Sequence, residues 1–79
     1  MNEAVIIPVD QFKKGELQVV CLSPVEVTVV LKDKSQETFR TEAKTSHYSL
    51  KHSLEEIEQV EVKTIEGLQY EFLPAIKAL

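Results

Sequence analysis

Residues 25–32 read Val-Glu-Val-Thr-Val-Val-Leu-Lys, with Val25, Val27, Val29 and Leu31 at every second position and Glu26, Thr28, Val30 and Lys32 between them. A period of two puts the first set on one face of a strand and the second on the other, and β-branched side chains fit a pleated surface. This is the clearest strand signal in the chain. Downstream, Asp33 to Gln36 form a polar turn, and Phe39, Thr41 and Ala43 then alternate with Thr38, Arg40, Glu42 and Lys44. The pattern predicts a second strand over 37–44 and an antiparallel hairpin.

From Thr45 the alternation lapses. Ser53 and Glu56 have capping-box spacing for a short helical turn, so 45–58 stays open between loop, strand and short helix. Val60 and Val62 then alternate in I-E-Q-V-E-V-K-T-I, predicting a strand over 59–65. Glu66-Gly67 offers a hairpin turn, and Leu68, Tyr70 and Phe72 predict a return strand over 68–73. Pro74 breaks it, leaving Ile76 and Leu79 to enter the core from a last short strand or a one-turn helix.

Upstream, Asp10 is placed to cap a helix over 10–21 with Phe12, Leu17, Val20 and Cys21 as its apolar stripe. Gly15 weakens that helix by about 1 kcal/mol relative to Ala, and Pro24 ends it because the preceding residue is biased toward extended geometry. The expected architecture is a single mainly-β domain over 1–79. Its strands curl into a small Sm-like or SH3-like open barrel with an N-terminal α-helix plugging one end.

Seventy-nine residues make one modest core and leave little room for a deep substrate cleft. A hydrophobic share of 43% with 28% charged residues is too apolar for disorder and too interrupted for a membrane span. Met1 to Val9 carry Glu3 and lack the basic and apolar pattern of a secretion signal, so cytoplasm is the expected address and no membrane the expected partner. Cys21 is the single cysteine and reads as a small buried hydrophobe. Net charge is -4, with six Glu after residue 54 against Lys63 and Lys77 alone. Lysines elsewhere are scattered, without the basic stripe that displaces counterions, so direct nucleic-acid binding is disfavoured. The acidic third reads as a solvated face or as a patch aimed at a basic partner.

Candidates for chemistry are Cys21, His47, Tyr48, His52 and the glutamates, and none falls in a recognised spacing. His47 and His52, five apart, lack the neighbouring Cys or Asp of a zinc site. Two glycines build no phosphate cradle. No enzyme activity, cofactor or metal is expected.

The segment from Pro8 to Asp33 resembles the start of the Rho-binding antiterminator family, Rof. Pro8, Leu17, Cys21, Thr28, Leu31, Lys32 and Asp33 fall in its register without a gap. Leu73 followed by Ile76 in the closing L-P-A-I-K-A-L is similar to the family's last strand. The resemblance implies a helix packed on an Sm-like barrel, and a protein that inhibits transcription termination by occupying the RNA-binding site of Rho. The matching segment puts the expected partner contact at Asp10, Lys14, Glu16 and Gln18, and a monomer is the expected state. This chain carries Phe12, Lys13, Lys14 and Gly15 where the family is acidic with a tyrosine, and Gln18 where it tends to carry an acid. Two other classes stay open. One is an Sm-like module that binds RNA itself, against which the acidic balance counts. The other is a generic interaction barrel, of the kind a phage or plasmid aims at a host complex, whose exposed edge a partner strand completes.

Overall fold

The computed structural model describes residues 4–42 and 44–79. Its strands are β1 (Ala4–Pro8), β2 (Glu16–Val20), β3 (Val25–Leu31), β4 (Gln36–Arg40), β5 (Ser46–Ser49), β6 (Ile57–Thr64) and β7 (Ala75–Ala78), with one 3-10 turn at Val9–Gln11. They form two antiparallel sheets, ordered β1-β6-β3-β4 and β5-β2-β7, and neither closes into a barrel. The chain is mainly β, as residues 25–32 imply.

The β3 alternation holds. Val25, Val27 and Val29 lie in the core with Val60 and Val62 of β6, whose Cα partners are Val27↔Val62 and Val29↔Val60. The opposing sheet contributes Leu17 and Val19, while Phe12, Cys21, Leu50 and Ile57 fill the space between. Strand β3 is central, with β4 on one side and β6 on the other, so even its outward Thr28 and Val30 are buried. Thr28 Oγ1 shares a hydrogen bond with Thr38 Oγ1 across the β3–β4 ladder at 3.0 Å. Strand β4 stops at Arg40 because Thr41 takes over the pairing: its N–H donates to the Val25 carbonyl (2.9 Å) and its Oγ1 accepts the Val25 N–H (3.0 Å). The 37–44 strand is thus shorter than its pattern suggests, and Ala43 lies outside the described residues.

The expected helix over 10–21 is absent. Three residues form a 3-10 turn, and Glu16–Val20 are strand β2 at the centre of the second sheet. The alternation Leu17, Val19, Cys21 against Gln18 and Val20 decides this. The first three are buried and Val20 is 43% exposed, whereas the helical stripe needs Val20 inside. Gly15 supplies the second reason, since its φ of +70° is left-handed and cannot sit within a right-handed helix. Gly15→Ala should therefore destabilise the domain by about 1 kcal/mol, whereas in a helix the same change would stabilise it by a similar amount. The added Cβ meets nothing closer than Leu54 Cδ2 at 3.8 Å, so chemical denaturation of this variant reads the backbone alone.

The expected strand over 68–73 is also replaced. A hairpin return needs a free edge of β6, but β3 holds one edge and β1 the other, from Ala4↔Lys63 to Pro8↔Gln59. Residues 65–74 therefore run as an irregular loop, turning at Gly67 (φ +91°), and the chain pairs again as β7 on β2. The open segment 45–58 resolves into strand β5, which pairs with β2, and a turn at 53–56 closed by the Glu56 N–H on the Ser53 carbonyl (2.9 Å). Ser53 and Glu56 also meet through their side chains at 3.3 Å, as their spacing suggests, without founding a helix.

A candidate protein-binding surface

Strand β2 carries Glu16 and Gln18, two of the four residues expected to make the contact. Leu17 and Val19 anchor it in the core, so the alternate residues Glu16 and Gln18 leave the sheet on its outward face. Gln18 is flanked there by His47 of β5 and Lys77 of β7, and Glu16 by Ser49. The start of β2 is fixed by the last residue of the chain. The Leu79 carbonyl accepts N–H groups from Lys13 (3.2 Å), Lys14 (2.9 Å) and Glu16 (3.3 Å), and the Leu79 N–H donates to the Glu16 carbonyl (2.9 Å). Lys14 is exposed in this stretch, while Asp10 stands exposed on the 3-10 turn beyond the buried Phe12. The fold thus groups Glu16 and Gln18 on one face, places Lys14 just before them and sets Asp10 apart. Among the described residues, no hydrogen bond or ion pair joins the four side chains to one another.

Further along the same face the surface turns apolar. Val20 and Ala75 are Cα partners, and with Leu22, Phe72 and Leu73 they line a shallow groove that reaches Cys21. Leu22 is 64% exposed, Phe72 67% and Leu73 64%. Sequence reasoning missed this patch because Leu68, Tyr70 and Phe72 alternate like one face of a return strand over 68–73, and no such strand forms. The signal lay in β1: A-V-I-I-P is apolar on both faces, enough to claim the edge of β6 and displace that strand.

On the opposite seam, between β4 and β5, lies a cleft of about 510 Å³ lined by Val29, Glu37, Phe39, His47, Tyr48 and Lys51 among others. Phe39 and Tyr48 touch with ring centroids 5.2 Å apart, and the Tyr48 hydroxyl accepts the Glu42 N–H at 3.0 Å. His52 bridges Glu37 through Nε2 and Glu56 through Nδ1, the latter at 3.6 Å. These contacts tie the 45–56 segment to β4. The shifted titrations lie elsewhere on the surface: the Ser35 hydroxyl and N–H bonded to Asp33 hold its carboxyl below the usual range. The Lys44 ammonium, hydrogen-bonded to Glu42 at 2.8 Å, lowers that carboxyl and is itself raised. Cys21 is buried, and its thiol donates to the Glu42 carbonyl at 3.3 Å. Among the described residues no group of three His, Cys, Asp or Glu is placed to hold a metal ion, and no helix is long and apolar enough to cross a membrane.

No protein-family model matches the chain, and neither a curated protein nor a solved structure matches it.

Proposed function

We propose that this chain is a protein-binding inhibitor of transcription termination that occupies the RNA-binding site of Rho, acting in the cytoplasm without chemistry of its own. The observation that carries the reading is the outward face of β2. Buried Leu17 and Val19 hold Glu16 and Gln18 at fixed spacing on a rigid strand, in the segment where the Rof resemblance puts the contact. Two antiparallel sheets around one core are read here as an Sm-like open barrel whose contact segment is strand and 3-10 turn in place of the family's helix. An acidic chain meeting a basic RNA-binding surface gains encounter rate and orientation from complementary potentials.

The test is titration of the domain into Rho, with and without competing cytidine-rich RNA. Charge reversal of Asp10 and Glu16 together should weaken binding at least about tenfold at low salt and less at moderate salt, because rim charges act mainly through a screened field. The melting temperature should not move, since neither side chain is buried. Unchanged affinity would move the contact elsewhere on the surface.

A second reading is favoured by β1. Its outer edge pairs with no strand among the described residues, its five residues carry no charge, and Ile6 is 57% exposed. Such an edge suits strand addition by a partner. Complex formation that persists at high salt would favour this reading, because main-chain hydrogen bonds are screened less than surface charges.

A further inference from the structure

The loop from 65 to 74 is tied down, yet its large apolar side chains face solvent. The Tyr70 hydroxyl accepts the Ile65 N–H at 2.9 Å and donates to the Pro24 carbonyl, and Ser23 Oγ donates to the Gln69 carbonyl at 2.7 Å. Between and beyond these ties stand Leu68, Phe72 and Leu73, all exposed. Folding alone does not account for them, because none contributes to the core. A side chain carried on a tethered loop loses less freedom on docking than one on a loose segment. A large aromatic that fills a recess is the kind of residue that dominates binding energy.

The charges around this loop restrict what it can meet. Glu66 and Glu71 lie within it, no Lys or Arg does, and neither carboxylate has an ion-pair partner among the described residues. A partner with an uncharged rim would strip water from two carboxylates and give nothing back. A partner with cations around an apolar recess matches both features. Surfaces that bind single-stranded RNA are built that way, with cations for phosphates and apolar or aromatic platforms for bases.

We infer that Phe72 and Leu73 anchor the chain in a base-binding recess of its partner's RNA-binding surface, with Glu66 and Glu71 facing the cations that would otherwise hold phosphates. The inference rests on the Rho reading above and names the contact that supplies most of its affinity. The anchor is continuous with the polar site, since Val20 and Ala75 join the groove to the face bearing Glu16 and Gln18. One docking event would cover both.

The experiment is titration of the full chain into Rho, comparing wild type with Phe72→Ser, Leu73→Ser and the double variant Glu66→Lys/Glu71→Lys. Melting temperature and light-scattering mass are recorded for each protein. Phe72→Ser should weaken binding at least about thirtyfold, the scale of a hot-spot truncation, with its melting temperature unchanged. The charge-reversed pair should lose affinity mainly at low salt. Should Phe72→Ser fail to fold, Leu73→Ser and the charge pair carry the same test. Wild-type binding that survives all three changes would overturn the anchor and leave the Rho reading standing. No wild-type binding at any salt would overturn both. A wild-type dimer that Phe72→Ser converts to monomer, with Rho affinity unchanged, would overturn the anchor in favour of self-association.

Discussion

Replacing Val27 by Asp is expected to abolish the cooperative thermal transition and leave the circular dichroism of an unfolded chain. Val27 is fully buried on the inward face of β3, between its cross-strand partners Phe39 and Val62. A carboxylate there must either lose its hydration or take up a proton, and it leaves unfilled the space of a branched side chain. A stranded polar or charged group of this kind costs several kcal/mol. A domain this small has a total stability of about 4–12 kcal/mol, so the penalty removes most or all of it. No adjustment of β3 relieves the strain, because β4 and β6 flank it and a one-residue slip would turn every side chain over. Gln36→Asp, on the exposed β4, introduces the same carboxylate without the burial and should keep its transition. A cooperatively folded Val27→Asp would mean that the inward face of β3 is the one bearing Thr28 and Val30.

The same strand shows what a sequence can and cannot tell. Residues 25–31 are legible because Val25, Val27, Val29 and Leu31 recur at every second position with only Val30 apolar between them, and the hairpin to β4 and the strand at 57–64 follow from equally local patterns. The two misreadings, and the openness of 45–58, have one physical origin, which is that pairing partners are not local. Residues 12–21 satisfy a helical stripe and a strand alternation at once, and what settles the matter is that β5 and β7 lie ready to pair on either side of β2. Residues 68–73 alternate like a strand, but β1 already holds the edge they would need, and β1 itself shows no alternation by which to announce itself. Strand β5 reads S-H-Y-S, too polar and too short to stand out, and becomes a strand by pairing from Glu16↔Ser49 to Val19↔Ser46. The site divides in the same way. Glu16 and Gln18 of the proposed contact were named by the resemblance. Phe72 was not, because an aromatic in an alternating run is normally evidence of a core and becomes surface only when its strand is excluded from the sheet.

Those competing periods for residues 12–21 make opposite predictions at two adjacent valines. In the structure Val19 is completely buried on the inner face of β2, where it joins Leu17 and Cys21, and Val20 points outward at 43% exposure. A helix carrying Leu17, Val20 and Cys21 inward would put Val20 inside and turn Val19 toward solvent, since at about 100° per residue Val19 falls nearly opposite the middle of that stripe. Val19→Asp should accordingly unfold the domain, for the reason given for Val27. Val20→Asp should fold with a melting temperature close to the wild type, because its carboxylate can remain hydrated at the rim of the groove. The two variants are identical in composition and differ in position by one residue, so expression, net charge and unfolded-state effects largely cancel between them. Thermal denaturation followed by circular dichroism reads the difference directly. A loss of folding at position 20 with retention at 19 would restore the helix, and Glu16 and Gln18 would then no longer share the face on which the proposed contact with Rho depends.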